Sequence, residues 1–296
     1  MDRRDFLKAG AAAAFLAGTG AFKSYGAHAA PSGLRVRFLG TGAADWDGPD
    51  ERGELRRFSS VLLDERIIID FTASSADMLP QRCSPEAIFL THSHNDHFDP
   101  EAILSLGAKR IYMGDTWAER ARENFAEASR RTGIAVPELV PLAIGQKASC
   151  GDIDITALPA NHSTSYIDEQ TLIYLVEKGP VRLLYATDTG GIMSRAARIA
   201  GIDLHFPGKP ITALIMEATM SGDEDFRLFT HSSIGTVLRT VNMLTNTVRY
   251  TPAKGQKVYL THLARTLHGT QAQLDASLPS PLRAAHDGLE VLFMAS

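Results

Sequence analysis

The sequence predicts an α+β fold, a four-layer αβ/βα sandwich of two sheets with helices flanking them. Three observations lead there. Predicted strands come first and then alternate with helices, the order expected of sheets covered by helices. The candidate polar ligands all fall just past strand C-terminal ends, where a fold gathers distant residues at one edge. Beyond the first 29 residues the chain still has about 267, enough for one large domain with a substantial core.

Residues 1–29 are set apart as a leader. Arg3-Arg4-Asp5-Phe6-Leu7-Lys8 looks like a twin-arginine export motif. The alanine- and glycine-rich stretch that follows, to about Phe22, is too short and glycine-broken to span a bilayer. Ala27-His28-Ala29 has the small-x-small form of a cleavage site, so processing is expected before Ala30. Residues 30–296 then make the folded domain. The expected partner of the leader is the twin-arginine export machinery, and the expected location is periplasmic or secreted.

Within the domain, residues 34–40 read as a strand with Leu34, Val36 and Phe38 on one face. Residues 59–64 and 66–71 are two short strands joined tightly. Residues 72–79 are a predicted helix, and 86–91 a buried strand. Asp99 caps a helix over 99–106 with Pro100 in its first turn. Residues 109–113 are a strand, and 115–132 an amphipathic helix stopped by Gly133. Strands follow at 153–158, 171–177, 181–187 and 211–217. A helix at 232–244, a strand at 257–261 and a last strand at 289–294 complete the order.

Composition narrows the function. The chain carries a net charge of −4. The leader holds Arg3, Arg4, Lys8 and Lys23 against Asp2 and Asp5, so residues 30–296 stand at −6. That balance lacks the basic footprint of a nucleic-acid binder. No long apolar run lies beyond the leader. Cys83 and Cys150 are the only cysteines, and their spacing says nothing of whether they pair.

The strongest chemical signal is Thr91-His92-Ser93-His94-Asn95-Asp96-His97. Imidazole nitrogen and carboxylate oxygen are good ligands for zinc and similar divalent ions. Residues two apart on extended backbone point the same way, so His92 and His94 can grip one ion while Asp96 and His97 turn to another. His162 in Pro-Ala-Asn-His, Asp188 in Ala-Thr-Asp-Thr and His262 in Leu-Thr-His-Leu occupy matching positions past later strands.

These motifs, in this order, resemble the metallo-β-lactamase superfamily of metallohydrolases. The resemblance runs from Phe38-Leu39-Gly40-Thr41-Gly42 to His262. It implies that His92, His94 and His162 hold one ion, that Asp96, His97 and His262 hold a second, and that Asp188 bridges them. The implied cofactors are two divalent ions, with zinc expected and manganese or iron as alternatives. Arg56-Arg57-Phe58-Ser59-Ser60, Glu217-Ala218-Thr219 and His231-Ser232-Ser233 are similar to motifs of phosphodiesterase members: tRNA 3′-end-processing ribonucleases and cyclic-phosphate phosphodiesterases. Met216 and Ser233 depart from the usual His and Thr.

The implied activity is phosphodiester cleavage by a metal-bridging hydroxide. Glu217 would orient His231, and His231 would act on the phosphate or the leaving oxygen. Asp96 would bind metal and accept a proton. Arg56 and Arg57 are candidate phosphate contacts, because guanidinium suits phosphate oxygens. Asn161 and Thr187 are candidates to orient ligand imidazoles. Trp46 either stacks on substrate or packs beneath its loop. A small-molecule substrate is expected rather than a nucleic-acid polymer, and the resemblance allows a homodimer. Two other classes remain open: a lactonase or β-lactamase-like hydrolase on the same ions, and a non-catalytic metal-binding protein. The Glu217–His231 pair favours the phosphodiesterase over the former, and the full ligand set argues against the latter.

Overall fold

The computed structural model describes residues 33–295, so the leader lies outside the described residues. Among the described residues, fourteen strands form two seven-stranded sheets. The first has the order β14-β1-β2-β3-β4-β5-β6: Glu290–Phe293, Leu34–Gly40, Ser60–Leu63, Ile67–Ile69, Ala87–Phe89, Arg110–Gly114 and Glu138–Leu142. The second has the order β13-β12-β11-β10-β9-β8-β7: Leu282–Ala284, Val258–Thr261, Ala213–Glu217, Val181–Ala186, Leu172–Lys178, Ile153–Pro159 and Lys147–Cys150.

The sandwich follows from strands that are apolar on both faces. In β2, Val61 turns into the core between the sheets while Leu62 turns outward. In β10, Leu183 and Tyr185 enter that same core while Leu184 and Ala186 face the other way. The outer face of the first sheet is covered by α1 (Pro100–Ser105) and α2 (Ala118–Thr132), through Ile103, Leu104, Ala121 and Phe125. The outer face of the second is covered by α3 (Ser194–Ile199), α4 (Ile234–Asn246) and α5 (Gln271–Ser277), through Ala196, Val237, Val241 and Leu274. These are the four predicted layers.

Local signals account for most boundaries. Asp99 caps α1 by accepting from the Ala102 amide, with Pro100 beginning the helix. Gly133 ends α2 at φ 74°, in the left-handed region that favours glycine. The predicted helix over 72–79 is corrected to a 3₁₀ turn, Ala73–Met78, whose one buried side chain is Ser75. With so little apolar surface to bury, a longer helix has nothing to hold it. Sequence reading passed over β6, β7, β13, α3 and α5, all of seven residues or fewer. Pro141 hides β6, yet proline is tolerated there because β6 is an edge strand. Cys83 and Cys150 are both free thiols, the second of them buried.

Strand direction assembles the site. β4 is parallel to β3 and β5, and β10, β11 and β12 are mutually parallel. β8 is antiparallel to β9, which is antiparallel to β10, so β8 and β10 share a direction. The two sheets meet at the edge where these strands end. There the Leu172 amide donates to Thr91 O (2.9 Å) and the Tyr174 hydroxyl to Leu90 O (2.6 Å). Among the described residues, no helix is long and apolar enough to cross a membrane.

Candidate metal centre

Every ligand candidate comes from a loop at that edge. The stretch after β4 brings His92, His94, Asp96 and His97; those after β8, β10 and β12 bring His162, Asp188 and His262. One donor atom from each of His92, His94, His162 and Asp188 lies within 4.8 Å of the others. The same holds for Asp96, His97, Asp188 and His262, so Asp188 belongs to both groups. Asp188 and His262 sit at φ 44° and 53°, left-handed backbone that Asp and His tolerate better than most residues.

Hydrogen bonds fix the tautomers. His92 Nδ1–H donates to Thr91 Oγ1 (2.9 Å), whose own hydrogen goes to Asp70 Oδ2 (2.7 Å). That leaves His92 Nε2 as a bare lone pair, 2.9 Å from His94 Nδ1 and 3.1 Å from Asp188 Oδ2. His97 Nδ1–H donates to Asp70 Oδ2 (2.8 Å), leaving Nε2 3.0 Å from Asp188 Oδ2 and 3.3 Å from Asp96 Oδ2. His162 Nδ1–H donates to Thr230 O (3.1 Å), leaving Nε2 3.2 Å from His94 Nδ1. His262 Nδ1–H donates to Thr219 Oγ1 (2.8 Å), leaving Nε2 2.9 Å from Asp188 Oδ1.

Lone pairs and carboxylates aimed at one another repel unless positive charge lies among them. Burial alone would lower the pKa of His262, but the Asp188 carboxylate overrides it and pushes the value up to about 10. His97 is also raised, against burial, by Asp188, Asp96 and Asp70. His92 goes the other way, down to about 3, through burial and the neighbouring His97 charge. The cluster thus demands cations. His97 Nε2 and Asp188 Oδ1 are buried without a hydrogen-bond partner despite their close neighbours, which is wrong for proton sharing and right for metal ligation. Nitrogen and carboxylate donors of this kind suit zinc and similar divalent ions. The residues present fit a divalent metal.

Glu217 and His231 stand beside this cluster. His231 Nδ1 lies 3.1 and 3.2 Å from the two Glu217 oxygens. Glu217 is fully buried and also accepts from the Thr189 amide and from the Thr219 amide and hydroxyl. Both its oxygens are committed, so it anchors His231 and is poorly placed to ligate metal, although it lies within ligand range of Asp188 and His262. Burial would lower the His231 pKa, but Glu217 raises it above the ordinary histidine value. The imidazole planes of His231 and His262 are nearly parallel, 12° apart.

The two arginines are engaged by partners outside the donor cluster. Arg56 is buried and donates to Thr41 Oγ1, Ala285 O and Gln271 Oε1. Arg57 is paired with Asp77 and Asp287. Both tie the first strands to the C-terminal segment. Neither Asn161 nor Thr187 hydrogen-bonds a ligand imidazole, contrary to expectation. The Asn161 amide donates to Phe229 O and Gly190 O, and Thr187 bonds no imidazole. Trp46 packs beneath its loop, its indole N–H donating to Leu263 O (2.7 Å) next to His262.

Sequence reasoning missed the residues that do orient the imidazoles: Asp70, Thr91 and Thr219. Asp70 is completely buried and takes hydrogen bonds from the Thr91 amide, the Thr91 hydroxyl and His97. A lone carboxylate ending the run Ile67-Ile68-Ile69 was a signal that could have found it, because buried charges are partnered. Glu169 was missed too. Its buried carboxylate accepts from the Ser93 amide and hydroxyl and the Thr164 hydroxyl, clamping the His92–His94 loop to the one after His162.

Residues 66–262 match the family model described as a beta-lactamase superfamily domain. No curated protein matches the chain. Among solved structures, a diphosphatase from the PhnP family superposes with TM-score 0.65 at 18% identity, covering 89% of this chain and 99% of its own. Zinc-bound PqqB from Methylobacterium extorquens gives 0.62 at 16%, covering 87% and 99%. The short form of human tRNase Z gives 0.59 at 16%, covering 87% and 98%. At these identities the likeness is one of fold.

Proposed function

This chain belongs to the beta-lactamase superfamily, and on that premise we propose that it is an exported phosphodiesterase acting on a small phosphodiester or cyclic phosphate. Family and donor set together make it a metal-dependent hydrolase. The phosphodiester reading is carried by the Glu217–His231 pair, 3.1 Å apart and beside the donor cluster, with His231 Nδ1 3.9 Å from Asp188. The diphosphatase and ribonuclease among the fold's neighbours are in keeping with it.

We assign His92, His94 and His162 to one divalent ion, Asp96, His97 and His262 to a second, and Asp188 to both, with zinc the favoured metal. Bound there, such ions supply Lewis acidity toward a phosphoryl oxygen and lower the pKa of water toward neutrality. The chain's residues supply the rest. Glu217 holds the Nδ1 proton of His231 and favours the imidazolium form, its carboxylate raising the His231 pKa against burial, which leaves Nε2–H to meet phosphate oxygen. Charge grows on the phosphoryl and leaving oxygens in the transition state, so a fixed donor there lowers the barrier. Nε2–H can then pass its proton to the departing alkoxide. Opening an ester or lactam ring has no comparable use for this pair.

The test is the His231→Ala variant. Its metal content should match the parent while turnover of bis(p-nitrophenyl) phosphate and nucleotide 2′,3′-cyclic phosphates falls by about 10²–10⁴. Unchanged turnover, or an enzyme that opens lactones or nitrocefin in preference to any phosphodiester, would overturn the reading. Export has its own check. Arg3→Lys with Arg4→Lys should strand the protein in the cytoplasm, and equal periplasmic recovery would refute the twin-arginine route.

A further inference from the structure

We propose that the substrate carries a bulky apolar or aromatic group, held by a rim of Tyr166, Ile167, Met193, Phe226 and Phe229 beside the metal cluster. This rests on the phosphodiesterase reading and names the organic half of that substrate.

The five side chains sit on three segments, each running directly from a site residue. Tyr166 and Ile167 follow His162, Met193 follows Asp188, and Phe226 and Phe229 lie on the 3₁₀ turn that leads to His231. All are exposed: Ile167 completely, and Phe226 and Phe229 to 81% each. Large apolar side chains left in water forgo the stabilisation that burial gives, so several on segments rooted beside one cluster mark a contact surface.

Hydrogen bonds join the three segments at their roots. The Asn161 side chain donates to Phe229 O (2.9 Å) and Gly190 O (3.4 Å), and the Gly190 amide donates to Asn161 O (2.9 Å). His162 Nδ1 donates to Thr230 O (3.1 Å), so the backbone immediately after Phe229 touches a metal-ligand candidate. The segment that carries Phe226 and Phe229 thus lies against His162 and leads directly into His231.

The charge around the rim points to the same occupant. Arg227, between the two phenylalanines, is held by Asp225 (2.9 Å). Arg120, stacked on Tyr166 at 3.9 Å, is paired with Asp168 (3.3 Å). Both of these guanidiniums are paired with carboxylates, and Arg195, two residues past Met193, stands as a single exposed cation, too few charges for a track that grips a polyanion.

The experiment uses the zinc-loaded protein and p-nitrophenyl phosphodiesters whose second ester group is methyl, butyl, hexyl or phenyl. The leaving group stays constant, so kcat/KM reads the second group alone. We expect kcat/KM to rise about two- to fourfold per methylene and to be high for phenyl. Phe226→Ser with Phe229→Ser should cut the hexyl-to-methyl ratio at least about tenfold, with unchanged metal content and circular dichroism. A flat series in the parent, or an undiminished ratio in the double variant, overturns the rim while leaving the phosphodiesterase reading intact. Turnover of no member overturns that reading, and this one with it. A parent dimer in sedimentation that the double variant converts to monomer assigns the surface to a second copy and also overturns the proposal.

Discussion

At the scale of the residue, Thr219 is the most connected group in the site. Its hydroxyl donates to Glu217 and accepts from His262 Nδ1 (2.8 Å), with His231 Nδ1 3.2 Å away. One oxygen thus holds a metal-ligand candidate and the proposed phosphate-facing histidine in register. Thr219→Val keeps the shape but removes the acceptor, so His262 loses the partner that sets its tautomer. Losing such a partner typically costs 10–100-fold in metal affinity. We expect zinc titration of Thr219→Val to show metal binding weakened by roughly that factor, while Thr219→Ser, which keeps the oxygen, stays near the parent. Equal affinities for Val and Ser would show that the hydroxyl orients nothing. The ligand candidates were legible in the sequence because His and Asp past strand ends are rare and stand out. Thr219 and Asp70 were not, because a threonine or aspartate acquires this role only from what the fold puts beside it.

At the scale of the element, legibility followed length. Strands such as Leu34–Gly40 and Val181–Ala186 were readable because their runs are long and apolar. Leu282–Ala284 and α5 were not, because three to seven residues carry too little periodicity to rise above chance. The opposite error, a helix over 72–79, came from propensity outrunning burial. Gly40 shows a signal the sequence displayed without its reason. It ends β1 at a register shift against β2, and a Cβ there would stand 1.9 Å from Phe58 O. The obstruction is backbone, so nothing nearby can swing away. Gly40→Ala should therefore cost about 1–3 kcal/mol, the usual range for forcing atoms into packed space. Urea unfolding would measure it, and an unchanged midpoint would mean that β1 and β2 part there without penalty.

At the scale of the whole molecule, the layered core determines how the protein meets alkali. Tyr174 and Tyr185 lie between the sheets, and Tyr250 lies under the helices of the second sheet. Burial raises all three phenol pKa values: Tyr250 up to about 12, and the other two further from the ordinary 10.0. The sign of the effect is set by where each state holds its proton. Below pH 10 neither state ionises, and the stabilisation is fully present. Above it the unfolded chain releases protons that the folded chain keeps, so stability falls as pH rises toward the folded values. Each such tyrosine contributes a slope of about 1.4 kcal/mol per pH unit in that window. Tyr250→Phe removes one titrating group, so its stability should fall less steeply between pH 10 and 12. The phenolate absorbance of the buried tyrosines should appear only together with loss of the near-ultraviolet circular dichroism. Ionisation of all of them near pH 10 with that signal intact would mean that water already reaches the space between the layers.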